Sequence, residues 1–199
     1  MKKLMLLFAA ILYFQNSYSQ PGRLDASFGN KGIVRTDFGV FSKYSYGAQG
    51  KQVLTQRNGT IYLTFETHGQ TLITRLLADG RADASYANNG YSQSTSISPA
   101  ASALQKDGKI VVVGSSNYLF AIVRYSTNGT LDTTFSKDGK QTTDFGAGTE
   151  DEAHSIAIQK DGKIIVVGVS YVQPDYAKGA LARYNTDGSL DTTFSQVIL

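Results

Sequence analysis

Gly129-Thr130-Leu131-Asp132-Thr133-Thr134-Phe135 is the third of four copies of one phrase. The others are Gly22-Arg23-Leu24-Asp25-Ala26-Ser27-Phe28, Gly80-Arg81-Ala82-Asp83-Ala84-Ser85-Tyr86 and Gly188-Ser189-Leu190-Asp191-Thr192-Thr193-Phe194. Their aspartates are separated by 58, 49 and 59 residues (83−25, 132−83, 191−132). A period of this size marks one supersecondary unit stacked on copies of itself, as in propellers and solenoids.

Working outward, the span between two phrases reads as four short strands. In the third unit Lys140 to Phe145 is a short strand, ended by Gly146-Ala147-Gly148-Thr149. Ala153 to Gln159 alternates, with Ile156 and Ile158 on one face and Ser155, Ala157 and Gln159 on the other. Lys160-Asp161-Gly162-Lys163 is a hairpin turn, because Asp-Gly accepts the positive φ of tight β-turns. Ile164 to Val169 is apolar on both faces, as a strand covered on both sides must be. Leu181 to Tyr184 is the fourth strand, and Asn185-Thr186-Asp187-Gly188 turns the chain into the next copy. Lys106 to Gly114 repeats Lys160 to Gly168 almost letter for letter, and Arg57 to Leu63 is a degraded version. The expected class is all-β: tandem four-stranded antiparallel blades of a β-propeller-like array, three repeats (22–79, 80–128, 129–187) and the start of a fourth (188–199). A sheet apolar on both faces needs neighbours, so the unfinished copy predicts further blades, from a longer chain or from association of copies.

Combined, Gly-x-Leu-Asp-x-x-Phe, Thr-Asp-Phe-Gly, Gln-x-Asp-Gly-Lys-Ile-x-Val-x-Gly and Ala-Arg-Tyr resemble the bacterial delta-60 repeat, over essentially the whole of a repeat domain at 20–199. The resemblance implies propeller-like domains of large exported or surface proteins, with no activity attached to the repeat itself. The second unit departs from the pattern, since Tyr91 to Ile97 lacks Thr-Asp-Phe.

Residues 1–19 stand apart. Lys2 and Lys3 precede an apolar run, Leu4 to Phe14, which is too short to cross a bilayer. Ser17-Tyr18-Ser19 follows, the layout of a secretory signal cleaved before Gln20. This predicts a secreted, periplasmic or cell-surface protein with no membrane span after removal. Without Lys2 and Lys3 the 19 basic residues become 17, against 16 acidic, so the charge balance carries no argument for nucleic acid. The chain has no cysteine, so neither disulfides nor a thiol nucleophile enter.

Arg75, Arg124 and Arg183 each precede a phrase aspartate by eight residues. The expectation is a structural clasp between these arginines and Asp83, Asp132 and Asp191, with Asp25 as the first of the aspartate series. Arginine suits it because its planar fork presents several donors. A calcium-loop reading of Asn185 to Gly188 fails because Arg183 occupies the place of the first ligand. Glu150-Asp151-Glu152, near Asp144, reads as a solvated acidic loop, and His68 and His154 fall at unrelated repeat positions. No metal, cofactor or catalytic set is therefore assigned. Asn58-Gly59-Thr60 and Asn128-Gly129-Thr130 are first of all turn signals.

Binding is expected in the variable loops, where Tyr44, Tyr46, Tyr171 and Tyr176 are the candidate contacts. The function expected is an exported, non-catalytic scaffold that binds protein or glycan through blade loops. The alternative is the propeller portion of a secreted carbohydrate- or peptide-active enzyme whose catalytic residues lie outside this segment.

Overall fold

A computed structural model describes residues 22–36, 47–88, 90–94, 97–146, 148–172, 176–194 and 197–198. The expected signal segment and Tyr44 and Tyr46 lie outside these residues. Among these residues twelve strands form three antiparallel four-stranded sheets. The first is β1 (Gln49–Thr55), β2 (Ile61–Thr67), β3 (Gln70–Leu76) and β4 (Tyr91–Ser94). The second is β5 (Ser98–Leu104), β6 (Ile110–Ser116), β7 (Leu119–Tyr125) and β8 (Lys140–Thr143). The third is β9 (Thr149–Ile158), β10 (Ile164–Val172), β11 (Tyr176–Tyr184) and β12 (Val197–Ile198). Strands pair in chain order within each sheet, and the first strands are neighbours, β1 beside β5 and β5 beside β9. This is the blade arrangement that the repeat period predicts.

Apolar residues on both faces of the central strands explain the stacking. Ile110 and Val112 of β6 face the first sheet, meeting Tyr62, Ile73 and Tyr86, while Val111 and Val113 face the third, meeting Ile164, Val166 and Ala182. All four β6 residues are buried. Each first strand carries a register shift, at Gly50/Gln52, Pro99/Ala101 and next to Gly168. The shift brings backbones so close that a Cβ on Gly114 would overlap the Ser98 carbonyl oxygen, and one on Gly168 that of Glu152. Blade one moves the glycine across the ladder, pairing Gly50 with Phe65.

The structure corrects four expectations. The phrase does not join blades along the chain: it lies inside each sheet, between the third and fourth strands. Sequence units and sheets are therefore out of phase, and each sheet takes its outer strand from the following unit. The fourth copy, 188–194, leads into β12 and completes the third sheet, so it is no sign of a fourth blade. Second, β8 ends at Thr143, and β9 starts at Thr149, so the acidic trio is strand. Third, Asp151 is fully buried rather than solvated. Its Oδ2 accepts the Phe145 amide at 3.0 Å, because the Asp144–Thr149 connection folds back over it. Fourth, Tyr171 and Tyr176 are not loop residues but lie in strands, Tyr171 next to the last residue of β10 and Tyr176 the first of β11.

The Asp-Gly turns also differ in detail from a two-residue hairpin. Gly162 donates to the Gln159 carbonyl and Gln159 to that of Lys163, with positive φ at Gly162. That is a three-residue loop, a type I turn closed by a left-handed glycine. The Asp161, Asp107, Asn58 and Asn128 side chains each accept the amide two residues ahead.

Candidate functional site

The blades present two ends of opposite character. At one end lie the Asp-Gly turns and the phrases. There Arg124 Nε donates to Asp132 Oδ2 at 2.7 Å, while the Asp132 amide bonds back to the Arg124 carbonyl at 2.9 Å. Thr134 caps Asp132 Oδ1 with its hydroxyl and amide. The guanidinium lies 4.5 Å above the Phe135 ring. Its remaining arm crosses to the next blade, where Nη1 donates to the Thr186 carbonyl at 2.6 Å. Arg75 repeats the set with Asp83, Tyr86 and, in the next blade, the Thr127 carbonyl. Arg183 bonds Asp191 at 2.8 Å and lies over Phe194.

The aromatic of each phrase then rests on the glycine of the next. A Cβ on Gly129 would sit 2.8 Å from Tyr86, one on Gly188 2.9 Å from Phe135, and one on Gly80 3.0 Å from Phe28. Amides following the aromatics bond onward as well: Gly29 to Asp79 O, Ala87 to Asn128 O and Ser136 to Asp187 O. So the phrase joins blades through space, although not along the chain. Asp25 accepts from the Ser27 amide and hydroxyl.

Electrostatics distinguish the three clasps. Lys109 Nζ adds a contact to Asp132 at 2.9 Å, and Lys163 adds one to Asp191 at 2.7 Å. Thr60 stands at the corresponding position of blade one. Burial opposes ionisation of Asp132, but Thr134, Lys109 and Arg124 overcome it and hold its carboxyl far below the ordinary range. Lys163, with Thr193 and Arg183, holds Asp191 similarly low. Arg124 and Asp132 are the most buried pair, with side chains 7% and 6% exposed against 18% and 17% for Arg75 and Asp83.

At the other end, the second-to-third strand hairpins meet the starts of the first strands. Tyr171 and Tyr176 flank one hairpin, 39% and 71% exposed. The hairpin of blade two supplies Tyr118, 68% exposed, which sequence reasoning passed over. Asn117 and Tyr118 are its two central residues, at φ 50° and 63°, closing the Ser116–Leu119 pair as a type I′ turn. Blade one uses His68 and Gly69 there. A bulky side chain in the left-handed region costs about 1–2 kcal/mol, which glycine avoids. The available signal was this hairpin alignment, which sets a tyrosine against a glycine.

Two adjoining depressions lie beside Tyr118. One, of about 390 Å³, is lined by Gly69, Ser98, Ser115, Ser116, Tyr118 and Glu152, among others. The other shares Ser98, Ser115 and Glu152 and reaches Lys51 and His154. Lys51 pairs with Glu66 at 3.5 Å and His154 faces Glu152 at 3.4 Å. The Tyr118 carbonyl accepts the Asp151 amide at 2.7 Å, fixing the tip of blade two to the start of β9. Among the described residues no three His, Cys, Asp or Glu side chains gather as a metal would need, and no helix is long and apolar enough to cross a membrane.

With this geometry in hand, the chain is similar to a β-propeller domain family of unknown function (DUF5122), whose model matches residues 105–135 and 159–194. Both matches run from an Asp-Gly turn through the central strands to a phrase. No curated protein matches the chain.

Proposed function

We propose that this propeller-like array is an exported, non-catalytic scaffold whose hairpin end binds a protein or glycan outside the cytoplasm. The observation that carries the reading is the division of labour between the two ends. At one, the repeated charges pair within their blades and Arg75 and Arg124 also bond across to the next, while Tyr118, Tyr171 and Tyr176 stand exposed at the other. Exposed tyrosines give flat apolar contact with a hydroxyl at low entropic cost. The basic, short apolar and small-residue layout of 1–19 supports export.

The same reading assigns a further blade, from a longer chain or a second copy, to the far face of the third sheet. Val167 is 45% exposed there, whereas its counterpart Val113 is fully buried by the neighbouring blade. Two measurements test the proposal. Expressed with residues 1–19, the protein should appear outside the cytoplasm with Gln20 as its first residue by mass spectrometry. The purified protein should bind cell envelopes, and a variant carrying Tyr118→Ala, Tyr171→Ala and Tyr176→Ala should bind at least tenfold more weakly. Retention in the cytoplasm, or equal binding by the variant, defeats the reading.

A further inference from the structure

The geometry points to one sugar-binding subsite within that hairpin end: the depression between Tyr118 and Glu152, which takes a neutral hexose unit of an oligosaccharide. This rests on the binding reading above and narrows it to one ligand class and one position. Tyr118 is the first support. It occupies a positive-φ position that blade one gives to Gly69, and its side chain is 68% exposed. The turn requires this backbone conformation, and a tyrosine takes it without burial in return, where glycine would do so without strain. The backbone beneath is held, since the Tyr118 carbonyl takes the Asp151 amide and Ser116 pairs with Leu119. The ring is thus offered from a fixed platform.

The lining is the second support. Ser98, Ser115 and Ser116 bring hydroxyls that both donate and accept, Asn117 brings an amide, and Glu152 brings a carboxylate. Hydroxyls, amide and carboxylate match the hydroxyl rim of a pyranose, and an aromatic face matches its C–H face. A carboxylate can accept from two adjacent sugar hydroxyls at once. The depression, of about 390 Å³, is open to solvent, which suits one unit of a longer chain. Charge then selects among ligands. Among the described residues Glu152 is the charged group lining this depression, with His154 facing it from outside, so phosphate, sulfate and uronate are disfavoured, and nearby Lys51 is already paired with Glu66. A protein anchor would call for an apolar pocket taking an aromatic or arginine side chain, and serines line this one.

The test uses the whole chain and soluble polymers of neutral hexoses, β-1,4-glucan, β-1,3-glucan, mannan and chitin oligosaccharides, measured by affinity electrophoresis and calorimetry. At least one should bind, and Tyr118→Gly should weaken it about tenfold or more. Thermal stability should hold or rise, because glycine relieves the turn. Tyr118→Phe should keep most of the affinity, and Glu152→Gln should lose several-fold. Polyuronate and sulfated glycan should bind more weakly than the neutral polymer. If no neutral glycan binds while envelope binding still depends on the three tyrosines, the sugar subsite falls and the broader binding reading stands. If glycan binds equally well to Tyr118→Gly, the assigned position is wrong.

Discussion

The two ends of the array are built from the same strands and use side chains in opposite ways. At the phrase end, Arg75 and Arg124 each have partners in their own blade and another in the next: Arg124 touches Asp132, Phe135 and the Thr186 carbonyl. At the hairpin end, corresponding positions diverge, with Gly69 where blade two has Tyr118. Where blades must fit one another, every copy is held to one solution. Where the chain merely turns back, each copy is free to differ, and contact surface can accumulate there.

The comparison can be broken most readily at the phrase end. Arg124→Ala should cost about 3 kcal/mol, because it takes the guanidinium from a buried carboxylate, which keeps only Lys109 and Thr134, and leaves a carbonyl of the next blade unpaired. Arg75→Ala, in the more exposed clasp, should cost nearer 1 kcal/mol. Urea unfolding measures both, and equal losses would contradict the ranking by burial.

Acid gives the next effect. Asp132 titrates well below its ordinary 3.8 in the folded chain, so its contribution is fully present above that value. It is lost as pH falls from about 4 toward the depressed native pKa. Stability against pH should therefore slope downward below about pH 4, and Asp132→Asn should be less stable at neutral pH but flatter in acid. Parallel curves for the two proteins would remove this aspartate from the account.

At the hairpin end, the same measurements should yield little or a gain. Tyr118→Gly should stabilise by up to about 1 kcal/mol through relief of the left-handed strain, despite the entropy that glycine adds to the unfolded chain. A loss above that size would show that the tyrosine packs internally. Tyr176→Ala should change stability by less than about 0.5 kcal/mol, as exposed positions do.

Much of the architecture was legible because its causes are local and repeated. The alternation of Ile156 and Ile158 and the apolar Ile164 to Val169 follow from strand geometry, and Asp-Gly marks its own turn. The eight-residue interval from Arg124 to Asp132 was visible as well. The phase of the blades was not, because recurrence shows where words repeat and hydrogen bonding decides which strands share a sheet. Asp151 was misread for a related reason. Amid Glu150 and Glu152 it looks solvated, and its burial depends on a backbone amide, Phe145, that returns from the preceding connection. Tyr118 was hidden by its surroundings: two residues between apolar strands resemble ordinary turn filler until a sister hairpin is laid beside them. Tyr171 and Tyr176 were picked as exposed tyrosines and are exposed, though on strand ends.

The phase difference between unit and sheet bears on how such a gene can grow. An exchange between two phrases inserts a segment carrying the outer strand of one sheet and three strands of the next. Every resulting sheet still has four strands, and every junction still offers a glycine to the preceding aromatic. Arrays of different length can therefore arise in single steps, with no intermediate that leaves a blade short of a strand.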